Sequence, residues 1–137
     1  MNTLFLDTSG WFTALSARES RHRAAAAAYR EQLVGGHLCV TTNLVVAEMQ
    51  LLIGRVRGTA AALGFLDRLY GDPSHQVVFV DRDLERSAAD RWLRRSSDQR
   101  LSLTDAVSFE VMRDRRISRA LTLDRHFVVS GFERVPD

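Results

Sequence analysis

The feature that most constrains this chain is a recurrence of short, nearly apolar runs, each closed by a polar residue and separated by longer segments with helical spacing. Thr3 to Leu6 ends at Asp7, His37 to Thr41 leads to Asn43, Gln76 to Val80 leads to Asp81, and Arg119 to Leu123 ends at Asp124. Apolar runs of this length suit strands covered on both faces. Strands alternating with helices pair in parallel, because each helix carries the chain back to the same end of the sheet. The expectation is an α/β fold of three layers, a central, mostly parallel sheet of about four to five strands flanked by helices.

The helical segments carry their own punctuation. Ser20 is a candidate cap for a helix holding the Ala24 to Ala28 run, with Gly35-Gly36 as its stop. Asn43 to Arg55 reads as a helix closed near Gly58, and Thr59 to Tyr70 as another, ended by Gly71-Asp72-Pro73. Asp81 to Arg95 and Thr104 to Arg115 read as helices, and Phe132 to Val135 as a fifth strand. With 137 residues, 45% of them hydrophobic, and no long linker, residues 1–137 are expected to form a single domain. A charged residue within the first ten, Asp7, argues against a secretory signal. Glu48 interrupts the longest apolar region, Leu44 to Ile53, well short of the ~20 residues a bilayer needs, so no membrane association and a cytoplasmic location are expected.

In open parallel sheets, ligands sit beyond the carboxyl ends of the strands. Asp7 and Asp124 follow the first and fourth predicted strands, while Glu48 and Asp105 lie on helices that can face the same edge. Glu48 shares a helical face with Leu44, Leu51 and Leu52, a spacing that turns its charge toward the core unless a cation or an arginine compensates. The other three acids have ordinary roles open to them. Asp7 can cap a strand-to-helix corner, Asp105 can complete a capping box with Ser102, and Asp124 can cap the segment after it. No capping requirement gathers four acids at one edge, however. Clustered carboxylates repel unless a divalent cation neutralises them, and magnesium or manganese suits an oxygen-rich site that keeps room for phosphate. The chemistry this points to is phosphodiester hydrolysis.

Composition removes several rivals. All 19 basic residues are arginine, and the absence of lysine excludes P-loop hydrolases, receiver domains and the phosphatases that need one. The phosphatases also want an aspartate where Ser9 stands, and no Gly-x-Ser-x-Gly elbow is present. The lone Cys39, expected as core filler on a strand, permits neither an internal disulfide nor a cysteine zinc site. His22, His37, His75 and His126 show no i, i+4 pair. Arg18, Arg21 and Arg23, with Arg91, Arg94 and Arg95, are candidates to steer RNA, against the plainer reading of solvated helix faces. Trp11, Phe12 and Leu15 are core or a partner surface, with core favoured.

Four segments together carry a family likeness: Leu6-Asp7-Thr8-Ser9-Gly10-Trp11, Thr41 to Glu48, Leu101 to Phe109, and Ala120 to Phe127 with Gly131-Phe132 after it. Over essentially its whole length the chain resembles the PIN-domain nucleases, and within them the VapC toxins of bacterial VapBC toxin-antitoxin pairs. By this resemblance Asp7, Glu48, Asp105 and Asp124 match the family's four acidic metal-site positions, and Ser9 and Thr104 its supporting hydroxyls. It implies a PIN fold and a Mg2+- or Mn2+-dependent endoribonuclease that cleaves a particular transfer or ribosomal RNA. It also implies a cognate VapB-type antitoxin and a homodimer. A PIN nuclease of routine RNA processing, or a non-catalytic binding subunit of the same fold, stand as alternatives.

Overall fold

The computed structural model describes residues 2–96 and 100–137. Among them the elements run β1 (Leu4–Leu6), α1 (Thr8–Leu15), α2 (His22–Val34), β2 (Cys39–Thr42), α3 (Asn43–Arg57), α4 (Thr59–Gly71) and β3 (His75–Val78). There follow α5 (Arg82–Ala88), which continues into a π-helical turn (Ala89–Leu93), then α6 (Leu103–Asp114), β4 (Arg119–Leu121), α7 (His126–Val129) and β5 (Glu133–Val135). All five strands are parallel, in the order β3-β2-β1-β4-β5.

That order explains the layers. From β1 to β3 the chain moves across the sheet in one direction, and from β3 it crosses back over β1 to β4. Right-handed crossovers therefore put α1 to α4 on one face and α5 to α7 on the other. The packing agrees: α1 to α4 pack among themselves, as do α5, the π-helical turn and α6. The three-layer expectation holds. β1 lies at the centre, and Leu4, Phe5 and Leu6 have no solvent exposure, the burial of each contributing about 1.5–3 kcal/mol. Trp11, Met49, Phe109, Met112 and Phe127 fill the layers around it, and Cys39 is buried in β2. No described helix is long and apolar enough to cross a membrane.

Several boundaries differ from the sequence reading, each for a local reason. β3 ends at Val78 rather than Val80 because Val80 N–H turns aside to the Asn43 side chain (2.8 Å). β4 ends at Leu121 rather than Leu123 because Leu123 N–H donates to Ser9 Oγ (2.9 Å). In both places the backbone leaves the strand at the carboxyl edge to satisfy a side chain. β2 begins at Cys39 rather than His37, whose N–H closes a turn onto Gln32 O (3.2 Å). Ser20 does not cap α2; Arg21 holds that position without a side-chain bond, and the entry is made by backbone turns from Ser16 O and Glu19 O. The segment read as one helix from Asp81 to Arg95 starts as expected, with the Asp81 carboxylate on Leu84 N–H (2.8 Å), but widens into the π turn at Ala89.

The order β3-β2-β1-β4-β5 has one point of reversal, between β1 and β4, and there α1 approaches the end of β4 closely. A Cβ on Gly10 of α1 would lie 2.4 Å from the Leu121 carbonyl and from Thr122 N. Only glycine lets α1 reach the end of β4. Gly10→Ala is therefore expected to destabilise the fold by about 1–3 kcal/mol, read as a lower denaturant midpoint at unchanged slope.

Candidate active site

Asp7 occupies the N-terminal cap position of α1, yet its side chain makes no capping bond. Instead Oδ2 accepts from Thr122 Oγ1 (2.7 Å), just past β4, and from Ser9 Oγ (3.1 Å). Both hydroxyls are oriented from behind: Leu123 N–H donates to Ser9 Oγ (2.9 Å) and Asp124 N–H to Thr122 Oγ1 (3.0 Å). Among the described residues no side chain donates to Asp7 Oδ1. The carboxyl is 6% exposed, and its pKa is pushed up from 3.8 to about 6. Burial is the largest cause and the Asp105 charge adds to it, while the Thr122 and Ser9 hydroxyls act the other way.

Asp105 and Asp124 divide their oxygens in the same manner. Ser102 and Asp105 form the capping box at the start of α6, with Asp105 Oδ2 on Ser102 N–H (3.3 Å) and Ser102 Oγ on Asp105 N–H (3.0 Å). Asp124 Oδ1 accepts both the backbone N–H and the Nδ1 of His126, each at 2.9 Å. Asp105, Asp124 and His126 bring ligand-capable atoms within 4.8 Å of one another. Burial and the Asp124 charge raise the Asp105 pKa, against the backbone hydrogen bond from Ser102.

Glu48 corrects an expectation. It is exposed, not turned into the core, because α3 buries Val45, Val46, Met49 and Ile53 instead, leaving Leu51 about half exposed. Its Oε1 accepts from the hydroxyl of Thr8, the neighbour of Asp7, so it stands at the rim of the same edge. Thr104 is half-buried; its carbonyl takes the Ser108 hydroxyl (2.8 Å), and its own hydroxyl has no partner among the described hydrogen bonds. Thr8 and Thr122 escaped the sequence reading. Thr122 had a signal: it is a polar residue in an apolar run, two before Asp124 and so on the same side of an extended chain.

A single arrangement recurs at all four acids. One oxygen is held by a scaffold donor, and among the described residues no side chain donates to the other. Oxygens fixed in this way fit a hard divalent cation, and the imidazole of His126 orients Asp124 from beside it. Elsewhere, Trp11 belongs to the core, edge-on to Phe65 at 5.2 Å, while Phe12 and Leu15 line an apolar groove with Ile53, Ala61 and Phe65. Of the arginines read as RNA candidates, Arg91 is tied to Glu110 (2.9 Å) and Arg94 to Asp90 (2.7 Å).

Acids gathered where the strand order of a parallel sheet reverses define a carboxylate-lined centre in a three-layer α/β protein. The chain belongs to the PIN domain family, whose profile matches residues 4–133. It is 32% identical over 132 residues to the "23S rRNA-specific endonuclease VapC20" of two Mycobacterium tuberculosis strains, an overlap of 96% of this chain and 97% of the relative. The crystal structure of Mycobacterium tuberculosis VapC20, described as a "Sarcin-Ricin loop cleaving toxin", superposes with a TM-score of 0.83 at 31% identity, covering 94% of this chain and 95% of the other.

The raised Asp7 pKa has a direct consequence for stability. The folded protein holds a proton that the unfolded chain releases between pH 3.8 and about 6, so metal-free stability should fall as pH rises through that window. Asp7→Asn removes the buried charge and keeps an acceptor for Thr122 and Ser9. At pH 7 without metal it should melt above wild type by the equivalent of about 1–3 kcal/mol, a gap that closes near pH 4. A lower melting temperature at pH 7 would mean that the carboxylate stabilises the fold.

Proposed function

We propose that this protein is a divalent-cation-dependent endoribonuclease, the toxin of a type II toxin-antitoxin pair, in which residues 1–137 act as one PIN domain and Asp7, Glu48, Asp105 and Asp124 form the active site. The observation that carries this reading is the division of oxygens at the four acids, combined with a likeness to VapC20 that runs along the whole chain. The substrate class follows the relative: a loop of ribosomal RNA, cut in the cytoplasm.

Asp7 and Asp105 would hold Mg2+ or Mn2+, with Glu48 and Asp124 acting directly or through water, and His126 orienting Asp124. When bound, the cation lowers the pKa of water and offsets charge on the phosphate. The chain supplies the remainder. Thr122 and Ser9 fix the Asp7 carboxylate so that it need not reorganise, and Ser102 does the same for Asp105. Glu48 stands toward solvent, where it can accept a proton from an attacking water. An antitoxin and a homodimer belong to the same reading, and the groove holding Phe12 and Leu15 is a surface available to a partner.

Purified protein incubated with ribosomal RNA and either Mg2+ or Mn2+ should yield discrete new ends, and chelation should stop the reaction. Asp105→Asn should slow cutting by at least about a hundredfold, the scale of losing one group that stabilises transition-state charge, at an unchanged melting profile. Cleavage that persists in chelator, or in both Asp7→Asn and Asp105→Asn, would remove the acids from the reaction.

A further inference from the structure

A buried charge outside the acid cluster has no part in the chemistry above. Glu110 of α6 is only 3% exposed, and its Oε1 accepts from Arg91 Nε (2.9 Å) and Trp92 Nε1 (3.0 Å). Both donors lie in the π-helical turn Ala89–Leu93. A π turn admits an extra residue, so the side chains beyond it are rotated by about 100° from where an α-helix would carry them. Burying an ionised carboxylate costs several kcal/mol, of order, unless it is paired, and here the pairing serves to hold a distorted turn in place. Trp92 is fixed further by edge-on contact with Phe109 at 5.2 Å.

Beside that turn lies a hollow of about 270 Å3, walled by Trp92, Leu101, His126 and Val129, with Arg95 and Ser130 among its lining residues. Its far wall is shared with the acid cluster, since the same His126 ring places Nδ1 2.9 Å from Asp124 Oδ1. The hollow is therefore one side chain away from the proposed cation site. Its volume lies just under the range of drug-sized ligand pockets, which suits a single heterocycle. Two aromatic side chains and two aliphatic ones offer stacking surface, while a guanidinium and a hydroxyl offer edge contacts, the means by which proteins read bases splayed out of unpaired RNA.

We propose that this hollow is a specificity subsite that receives one unpaired nucleobase next to the scissile phosphate, with the Glu110-anchored π turn as its rigid wall. The proposal rests on the ribonuclease reading for its ligand and assigns the chain's choice of cut site to residues outside the four acids. Arg95, whose guanidinium lines the hollow among the described residues, favours guanine, whose O6 and N7 match the guanidinium fork.

The test uses Val129→Trp, which fills the hollow from a position 64% exposed and so spares the core, and Arg95→Ala. Ends produced from total RNA by wild type should show one dominant base, guanine, at one position flanking the cut. Both variants should lose that preference while melting as wild type does. Binding is read separately in the Asp7→Asn background, using a hairpin RNA that copies the sarcin-ricin loop and carries 2-aminopurine at each loop position in turn. One position should report stacking, and Val129→Trp should weaken that binding by about tenfold or more. Unchanged base preference in both variants, or cleavage of the hairpin with no stacked position, would overturn the subsite. A stacked position in a protein that cuts no RNA would sustain the subsite and sink the nuclease.

Discussion

The structure turns on one buried carboxylate placed where the strand order reverses. Asp7 leaves the central strand directly into the gap between β1 and β4, and its Oδ2 receives a hydroxyl from each side, Ser9 from α1 and Thr122 from beyond β4. That contact is possible because Gly10 lets α1 lie against the Leu121 carbonyl. Two elements far apart in sequence are thus locked together by the group that also faces the solvent edge. Burial keeps the carboxyl partly protonated near pH 6, and a nearby second acid, Asp105, strengthens the tendency. The fold holds a charge it would be more stable without, the relation expected of the proposed active site and the scaffold around it.

The same logic extends outward. Ser102 and the His126 backbone secure one oxygen of Asp105 and Asp124 through local caps and turns, and Thr8 reaches across to Glu48. Among the described residues the acids are thus oriented by hydroxyls and backbone N–H groups rather than by ion pairs with arginine. Arginines are plentiful, yet the paired ones near the α5–α6 face are engaged with Glu110 and Asp90. An arginine seated among the four acids would have quenched the field that a cation needs. A capping role and a site role are therefore compatible in one residue, because a carboxylate has two oxygens and a cap uses one.

Much of this was legible beforehand. The apolar runs ending at Asp7 and Asp124 marked strands and their carboxyl edge, and the Ser102-Asp105 spacing marked a capping box that is present. The side of α3 on which Glu48 lies was not legible. That helix is apolar around most of its circumference, and Leu44, Leu51 and Leu52 competed with Val45, Val46, Met49 and Ile53 for the buried stripe. Periodicity cannot separate two apolar stripes; only the contact with α4 and α1 decides between them. Thr122 carried only a faint signal, a polar residue two before Asp124, because its meaning depends on Asp7, 115 positions away. The π turn has no spacing signal either, and the carboxylate that receives its Arg91 and Trp92 donors, Glu110, lies on a different helix.

The pairing of β1 with β4 also has a meaning in time. Asp7 and Thr122 are separated by 115 positions, and β4 is the strand that brings Thr122 and Asp124 to the centre. Contacts of such long range form late, after the local helices. During synthesis a chain that has emerged only through α6 carries Asp7, Glu48 and Asp105 but has no partner for β1 on that side. Until β4 is made, Thr122 and Asp124 are absent from the edge where Asp7 stands, so the surroundings of the first acid in the sequence are completed only by the last third of the chain.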